Sequence, residues 1–248
     1  MVNFRTHFKD KANVAYMVAG YPDLKMTKSF IEGLDRTNID ILELGIAYSD
    51  PIADGKIISE AALKALEKGA TIHKVFELLS EVKTSKILVF LVYYNVIFSY
   101  GLQSFVKKAK EVGIKGLIVP DLPFEENEEL FRLCEEANLA LIPLISVTTP
   151  KPRIKEILSR GSGFVYAVAS VGITGGKRAE QAKLKTLVKD IREESSLPVF
   201  LGFGIKTKKD VQKIKQICDG AIVGTSIVQL FKEYKIREIF KKIKEIFE

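Results

Sequence analysis

The sequence predicts an α/β fold, a single (β/α)8 TIM barrel with extra helices. The chain has 248 residues, a length at which α/β barrels commonly form one domain. Eight short apolar runs alternate with stretches whose apolar residues recur at helical spacing. The runs are continuously apolar, as expected of parallel strands buried on both faces beneath helices. No linker or low-complexity segment interrupts them, so we expect one domain over residues 1–248.

The eight predicted strands each end in a glycine, a proline or a polar turn. They are residues 14–19, 39–44, 87–93, 116–119, 139–144, 164–169, 199–201 and 220–223. A predicted helix follows each strand, and two follow the second, so the second unit is the longest. Since eight such units in about 250 residues match the barrel, the pattern favours it over a doubly wound open sheet, which stays open as the alternative.

Composition disfavours several classes of protein. The net charge is +7 and the isoelectric point is near 9.2, but lysines alternate with glutamates, as in residues 241–248. There is no arginine-rich run or basic stripe with interleaved aromatics, which argues against nucleic-acid binding. No apolar run reaches the roughly 18 residues of a membrane span, and residues 1–9 lack a signal-peptide core. We therefore expect a cytoplasmic protein.

Cysteine and histidine are scarce. Cys134 and Cys218 are isolated among apolar residues, without metal-type spacing, and are expected to be buried. His7 and His73 are the only histidines, and neither lies at the carboxyl end of a predicted strand. We therefore expect neither a histidine base nor a metal site.

The segment 41–55 carries the clearest chemical signal. Glu43 interrupts an apolar strand, and Asp50 and Asp54 lie in the loop beyond it. Burial raises the pKa of a carboxyl group and suits it to proton transfer, and two carboxyls in different environments can divide acid and base roles. The alternative is that Glu43 is a structural acid paired with a cation and that the aspartates form turns.

Small residues end the last two strands. Gly202, Phe203 and Gly204 follow the seventh, and Gly224 and Thr225 follow the eighth. In (β/α)8 barrels these two loops, with a helix amino terminus, commonly bind phosphate. Each cluster alone could also be a simple turn. Together they favour a phosphate site.

The glycine-rich loop 172–176 follows the sixth strand and could close over a ligand; an ordinary surface loop is the alternative. No lysine lies at a strand end, which argues against Schiff-base chemistry. Residue reasoning therefore leads to a phosphate-ester-binding barrel enzyme that uses carboxylate acid–base catalysis without a metal. It does not name the substrate.

The motifs resemble a known family. Segments 42–45 and 49–55 resemble the signature of tryptophan synthase alpha chains, and 120–123, 172–175, 202–204 and 224–226 match in order and spacing. Ala47 departs from the pattern, since many relatives have proline there. The first motif is highly specific, whereas many phosphate-binding barrels share the glycine pairs.

The resemblance implies a lyase that cleaves indole-3-glycerol phosphate to indole and glyceraldehyde 3-phosphate by a retro-aldol reaction. Glu43 matches the family's general acid–base residue, and Asp54 matches the carboxylate that stabilises positive charge on the indole nitrogen. The positions matched to substrate binding are Tyr16, Tyr93, Tyr166, Thr174, Gly175, Gly202, Phe203, Gly204, Gly224 and Thr225.

The resemblance also implies a partner. The family's beta chain carries pyridoxal phosphate and joins indole to serine in an alpha–beta–beta–alpha complex, so no cofactor is expected in this chain. Two other functions stay open: a non-catalytic phosphate-binding regulatory subunit, and another phosphosugar isomerase or aldolase on the same barrel.

Overall fold

The computed structural model describes residues 2–168, 181–202 and 204–248. Within these ranges, parallel strands form one curled sheet in the order β5-β4-β3-β2-β1-β9-β8-β7-β6. The strands are β1 Ala12–Val18, β2 Ile41–Gly45, β3 Ile87–Leu91, β4 Gly116–Ile118, β5 Ala140–Leu141, β6 Leu144–Ser146, β7 Val165–Val168, β8 Val199–Gly202 and β9 Gly220–Val223.

The predicted barrel is confirmed, with one correction to its fifth strand. The predicted strand 139–144 is two short strands, β5 and β6, which meet at Pro143. Before the break, Ile142 donates its amide to Leu117 on the β4 side; after it, the Pro143 carbonyl accepts the amide of Tyr166 in β7. Because proline has no N–H to donate, it interrupts a ladder. The chain thus changes partner at Pro143 and closes the barrel through its own backbone.

Helices surround the strands. The helices are α1 Leu24–Gly33, α2 Lys56–Glu67, α3 Ile72–Glu81, α4 Tyr94–Tyr100, α5 Leu102–Glu111, α6 Glu128–Ala137, α7 Lys151–Leu158, α8 Gln181–Glu194, α9 Lys208–Lys215, α10 Thr225–Glu233 and α11 Ile236–Phe247. The predicted extra helices are present, since α2 and α3 both follow β2. None of the helices in the described part of the chain is long and apolar enough to cross a membrane.

Several helices begin at side-chain caps that the sequence encodes. Asp23 accepts the amide of Met26 at the start of α1. Thr207 and Asp210 form a reciprocal capping box at the start of α9. Each such cap satisfies amides that have no partner within the helix and typically contributes about 1 kcal/mol.

Apolar side chains fill both faces of the sheet. On β2, Ile41 belongs to the cluster inside the barrel, while Leu42 and Leu44 pack in the layer between strands and helices. Since side chains alternate along a strand, Glu43 faces the barrel interior with Ile41. The sheet thereby aims one carboxyl group into the barrel.

Aromatic rings fill the amino-terminal end of the barrel. The rings of Phe164 and Phe200 have centroids 4.5 Å apart, Phe8 lies 5.6 Å from Phe200, and Phe4 lies 6.2 Å from Phe164. Phe4 belongs to a short 3-10 helix, Phe4–His7, which precedes β1. These rings fill the amino-terminal end, and polar groups collect at the opposite end.

Candidate active site

A cavity of about 420 Å³ opens at the carboxyl ends of the strands, where barrel enzymes place their active sites. Its wall is mostly apolar, with a few polar groups, which is typical of a small-molecule site. Its lining residues are Tyr16, Ala53, Asp54, Ile57, Ile58, Leu91, Pro120, Leu144, Tyr166, Val168, Gly204, Ile205, Lys206, Ile222, Gly224 and Thr225.

Glu43 is enclosed in the upper interior of the barrel. Its side chain is 1% exposed, and its register partners are Tyr16 on β1 and Val89 on β3. The atom Oε1 is buried and makes no hydrogen bond to any described residue. Buried polar atoms normally have partners, so an unpaired carboxyl oxygen here suggests a group kept for a ligand. Among the described residues no cation pairs with Glu43, so the structural-acid alternative loses its main support there.

Burial controls the protonation of Glu43. It raises the pKa of the carboxyl group from 4.5 to about 8, because the interior disfavours the ionised form. The carboxyl group therefore holds its proton at neutral pH and can donate it. A carboxyl group with this pKa is suited to general acid–base catalysis.

Asp54 occupies a different environment, in the loop before α2. Its side chain is half-buried and lines the cavity. The Tyr93 hydroxyl donates to Asp54 Oδ2 at 3.1 Å and accepts the amide of Ala53 at the same distance. Burial raises the pKa of Asp54, and the hydrogen bond from Tyr93 opposes that rise. Tyr93 thus ties the loop to the end of β3.

Tyr16 and Tyr166 both line the cavity, and each packs on a glycine. A Cβ added to Gly45 would lie 2.6 Å from Cζ of Tyr16; one added to Gly202 would lie 2.6 Å from Cε1 of Tyr166. Burial, with the charges of Glu43 and Asp54, raises the pKa of both hydroxyls. Asp54 and the two rings therefore face one space. Glu43 is not among the residues that line the cavity, but its charge acts on both hydroxyls, so it lies close to these rings. Gly202 does not line the cavity, and its lack of a side chain accommodates a ring.

The loops after β8 and β9, where the sequence predicts a phosphate site, line the cavity. Gly204, with φ +71°, and Gly224 line the cavity, and Thr225 begins α10 there. The first amides of a helix lack intrahelical acceptors, and the helix dipole favours an anion near them. By contrast with Gly202, an added Cβ at Gly224 would meet its nearest atom at 3.7 Å, an ordinary contact.

Three predicted site residues, Thr174, Gly175 and Phe203, lie outside the described residues. Asp121, also in a site-face loop, accepts the amide of Tyr94 at 2.8 Å and so helps to begin α4. Within the described ranges, no cluster of three or more histidine, cysteine or acidic side chains could hold a metal ion. Cys134 and Cys218 are buried, as predicted.

Sequence reasoning missed Lys206 and the apolar wall. Lys206 follows the glycines at the end of β8 and lines the cavity; its position just after the glycine motif was the available signal. The wall includes Leu91 of β3, Leu144 of β6 and Ile222 of β9. They come from separate strands, so only the closed barrel brings them together.

Comparison with known proteins gives one consistent result. Residues 4–247 match the family model described as "Tryptophan synthase alpha chain". The chain is 56% identical over 247 residues to the tryptophan synthase alpha chain of Campylobacter jejuni subsp. doylei, covering 100% of this chain and 99% of that one. It is 43% identical over 228 residues to the protein of the same name from Methanocaldococcus jannaschii, with coverages of 91% and 81%.

Solved structures agree. Tryptophan synthase subunit alpha from Campylobacter jejuni superposes with a TM-score of 0.93 at 56% identity, covering all of both chains. A chain of the tryptophan synthase complex from Pyrococcus furiosus gives a TM-score of 0.85 at 31% identity, with coverages of 96% and 98%. Fold and sequence therefore point to the same family.

Proposed function

Because the chain belongs to the tryptophan synthase alpha chain family and is a lyase subunit of tryptophan biosynthesis, we propose that it cleaves indole-3-glycerol phosphate to indole and glyceraldehyde 3-phosphate. The observation that carries the proposal is Glu43, a buried carboxyl group with an oxygen to which no described residue hydrogen-bonds. Burial also raises its pKa to about 8. The cavity of about 420 Å³ has the size expected of a site for such a ligand.

Glu43 moves the protons of the reaction. Protonated Glu43 donates to the ring carbon that bears the side chain, which makes the indole ring cationic. As a carboxylate it then accepts the proton of the side-chain hydroxyl, whose oxygen becomes the aldehyde oxygen as the C–C bond breaks. The bonding electrons return to the ring. Glu43 ends in its starting state, so the proton balance closes.

Asp54 stabilises the charge that develops between these steps. A carboxylate near the indole nitrogen favours the cationic ring, which exists only after protonation, and so lowers the barrier rather than the ground state. The hydrogen bond from Tyr93 fixes one carboxylate oxygen of Asp54 and leaves the other for the ring N–H. Tyr16 and Tyr166 flank the ring.

The phosphate lies at the glycine end. Backbone amides near Gly204, Gly224 and Thr225 bind it, and the amino terminus of α10 adds a favourable dipole. Binding there anchors the substrate so that the indole reaches Glu43 and Asp54. Thr174, Gly175 and Phe203 complete the site by their family positions.

We further propose that the chain works with a beta chain that carries pyridoxal phosphate, while this chain carries no cofactor. Structures of tryptophan synthase complexes from Pyrococcus furiosus and Mycobacterium tuberculosis support a partner. Large apolar side chains are exposed at the site face: Ile52, in the Asp54 loop, is 68% exposed and Phe98 of α4 is 64% exposed. Exposed apolar groups of this size suit a protein interface.

The Glu43→Gln variant tests the catalytic proposal. The amide keeps the shape of the side chain but cannot exchange the proton, so indole formation should fall by roughly 10³-fold. Indole release from indole-3-glycerol phosphate is the assay, with circular dichroism to confirm folding and Glu60→Gln, an exposed change on α2, as the matched control. Turnover near that of the unmodified chain would overturn the assignment of Glu43.

A further inference from the structure

The cavity carries opposite charges on different walls. Among the described lining residues, the charged ones are Asp54, after β2, and Lys206, after β8. β8 lies beside β9, whereas β1 separates β9 from β2, so Lys206 shares its side of the barrel with Gly224 and Thr225. A dianionic group entering the cavity is therefore repelled from one wall and attracted to the other.

The backbone at Lys206 is held while its side chain is exposed. The preceding residue, Ile205, is 3% exposed and anchors the chain in the apolar layer. Lys206 donates its amide to Asp210 Oδ2 at 3.2 Å, and Thr207 donates both its amide and its hydroxyl to the same oxygen. That carboxylate oxygen of Asp210 therefore accepts the hydrogen bonds that cap α9. The fixed backbone limits the freedom that Lys206 loses when it contacts a ligand.

We propose that Lys206 binds the phosphate group of the substrate, an inference that rests on the proposed function. Its ammonium group adds a formal positive charge to amides that supply only partial charges. A charge-assisted contact of this kind is stronger than a neutral hydrogen bond, although exposure and salt weaken it. Lys206 therefore contributes to substrate affinity and makes that affinity dependent on ionic strength.

The test compares Lys206→Met with Lys208→Met in the 248-residue chain. Lys208 is exposed on the first turn of α9 and does not line the cavity. With Lys206→Met, we expect KM for indole-3-glycerol phosphate and Ki for inorganic phosphate each to rise about fivefold at low salt. Adding salt should raise both constants of the unmodified chain toward those of the variant. Lys206→Arg should restore most of the affinity, and Lys208→Met should match the unmodified chain.

The outcomes separate this inference from the proposed function. If the unmodified chain cleaves the substrate but Lys206→Met and Lys208→Met have the same KM and Ki, the role of Lys206 is overturned and the lyase function stands. If the unmodified chain releases no indole, titration calorimetry with inorganic phosphate replaces Ki. Weaker phosphate binding by Lys206→Met but not by Lys208→Met would then mean that the substrate is wrong and that Lys206 remains the anion ligand.

Discussion

The two carboxyl groups of the site are held in opposite ways. Glu43 lies on a strand, fully enclosed, with an oxygen that no described group satisfies. Asp54 lies on a loop, half-buried, and the Tyr93 hydroxyl binds it. Burial raises the pKa of both, but for Asp54 a hydrogen bond opposes the rise. The strand therefore holds Glu43, a carboxyl group that keeps its proton at neutral pH. The loop holds Asp54, a carboxylate whose position depends on the hydrogen bond from Tyr93.

The largest expected effect is a loss of folded-state stability as pH rises, because the buried Glu43 must then lose its proton. The unfolded chain releases this proton near pH 4.5 and the folded chain near pH 8, so between these values the unfolded state binds fewer protons. Stability due to Glu43 is therefore complete below about pH 4.5 and is lost as pH rises to 8. At about 1.4 kcal/mol per pKa unit, a pKa that moves from 4.5 to about 8 corresponds to a loss of roughly 5 kcal/mol.

Urea unfolding of the unmodified chain and of Glu43→Gln from pH 5 to pH 8.5 measures this loss. Glutamine does not titrate, so the free energy of unfolding of Glu43→Gln should increase relative to that of the unmodified chain as pH rises. Parallel curves for the two proteins would show that Glu43 is not the titrating group.

Gly45→Ala should disturb β2, the strand that carries Glu43. The added methyl would collide with the Tyr16 ring, so the ring, β1 or β2 must move. Overpacking of this kind typically costs about 1–3 kcal/mol. Gly224→Ala is the matched control for stability, since its methyl meets its nearest atom at 3.7 Å. Chemical denaturation of both variants gives the difference, and equal losses would mean that Tyr16 does not pack as described.

Tyr93→Phe should disturb the loop that carries Asp54. The ring stays, but Asp54 loses its donor and the Ala53 amide loses its acceptor. Hydrogen bonds to charged groups contribute roughly 1.5 kcal/mol, so kcat/KM should fall about tenfold. Tyr48→Phe is the control, because the Tyr48 ring lies 5.2 Å from Tyr93 and its hydroxyl bonds only Asn95 among the described residues. If the two variants lose the same activity, the Tyr93 hydrogen bond does not position Asp54.

The sequence predicted the features that depend on local pattern. Continuous apolar runs predicted the parallel strands, and the carboxylate within 41–45 predicted a buried acid, because strand alternation and burial are local consequences of residue order. The β9 strand, Gly220–Val223, has the predicted bounds. The change of partner at Pro143 was missed, because it depends on which strands flank the fifth one.

Other features depend on which side chains meet. The smallness of Gly202 was assigned to phosphate binding, yet its missing side chain leaves room for the Tyr166 ring from the neighbouring strand. The hydrogen bond from Tyr93 to Asp54 joins residues 39 positions apart. Neither contact follows from residue order alone, because both require the barrel to be closed.

The pKa of Glu43 is the most direct measurement of the central claim. Glutamate labelled with ¹³C at the carboxyl carbon would be titrated by NMR, and the Glu43 signal would be assigned by its absence in Glu43→Gln. A midpoint near 8 is the expected result. A midpoint in the ordinary range near 4.5 would show that the carboxyl group is ionised at neutral pH, which would contradict its role as the proton donor.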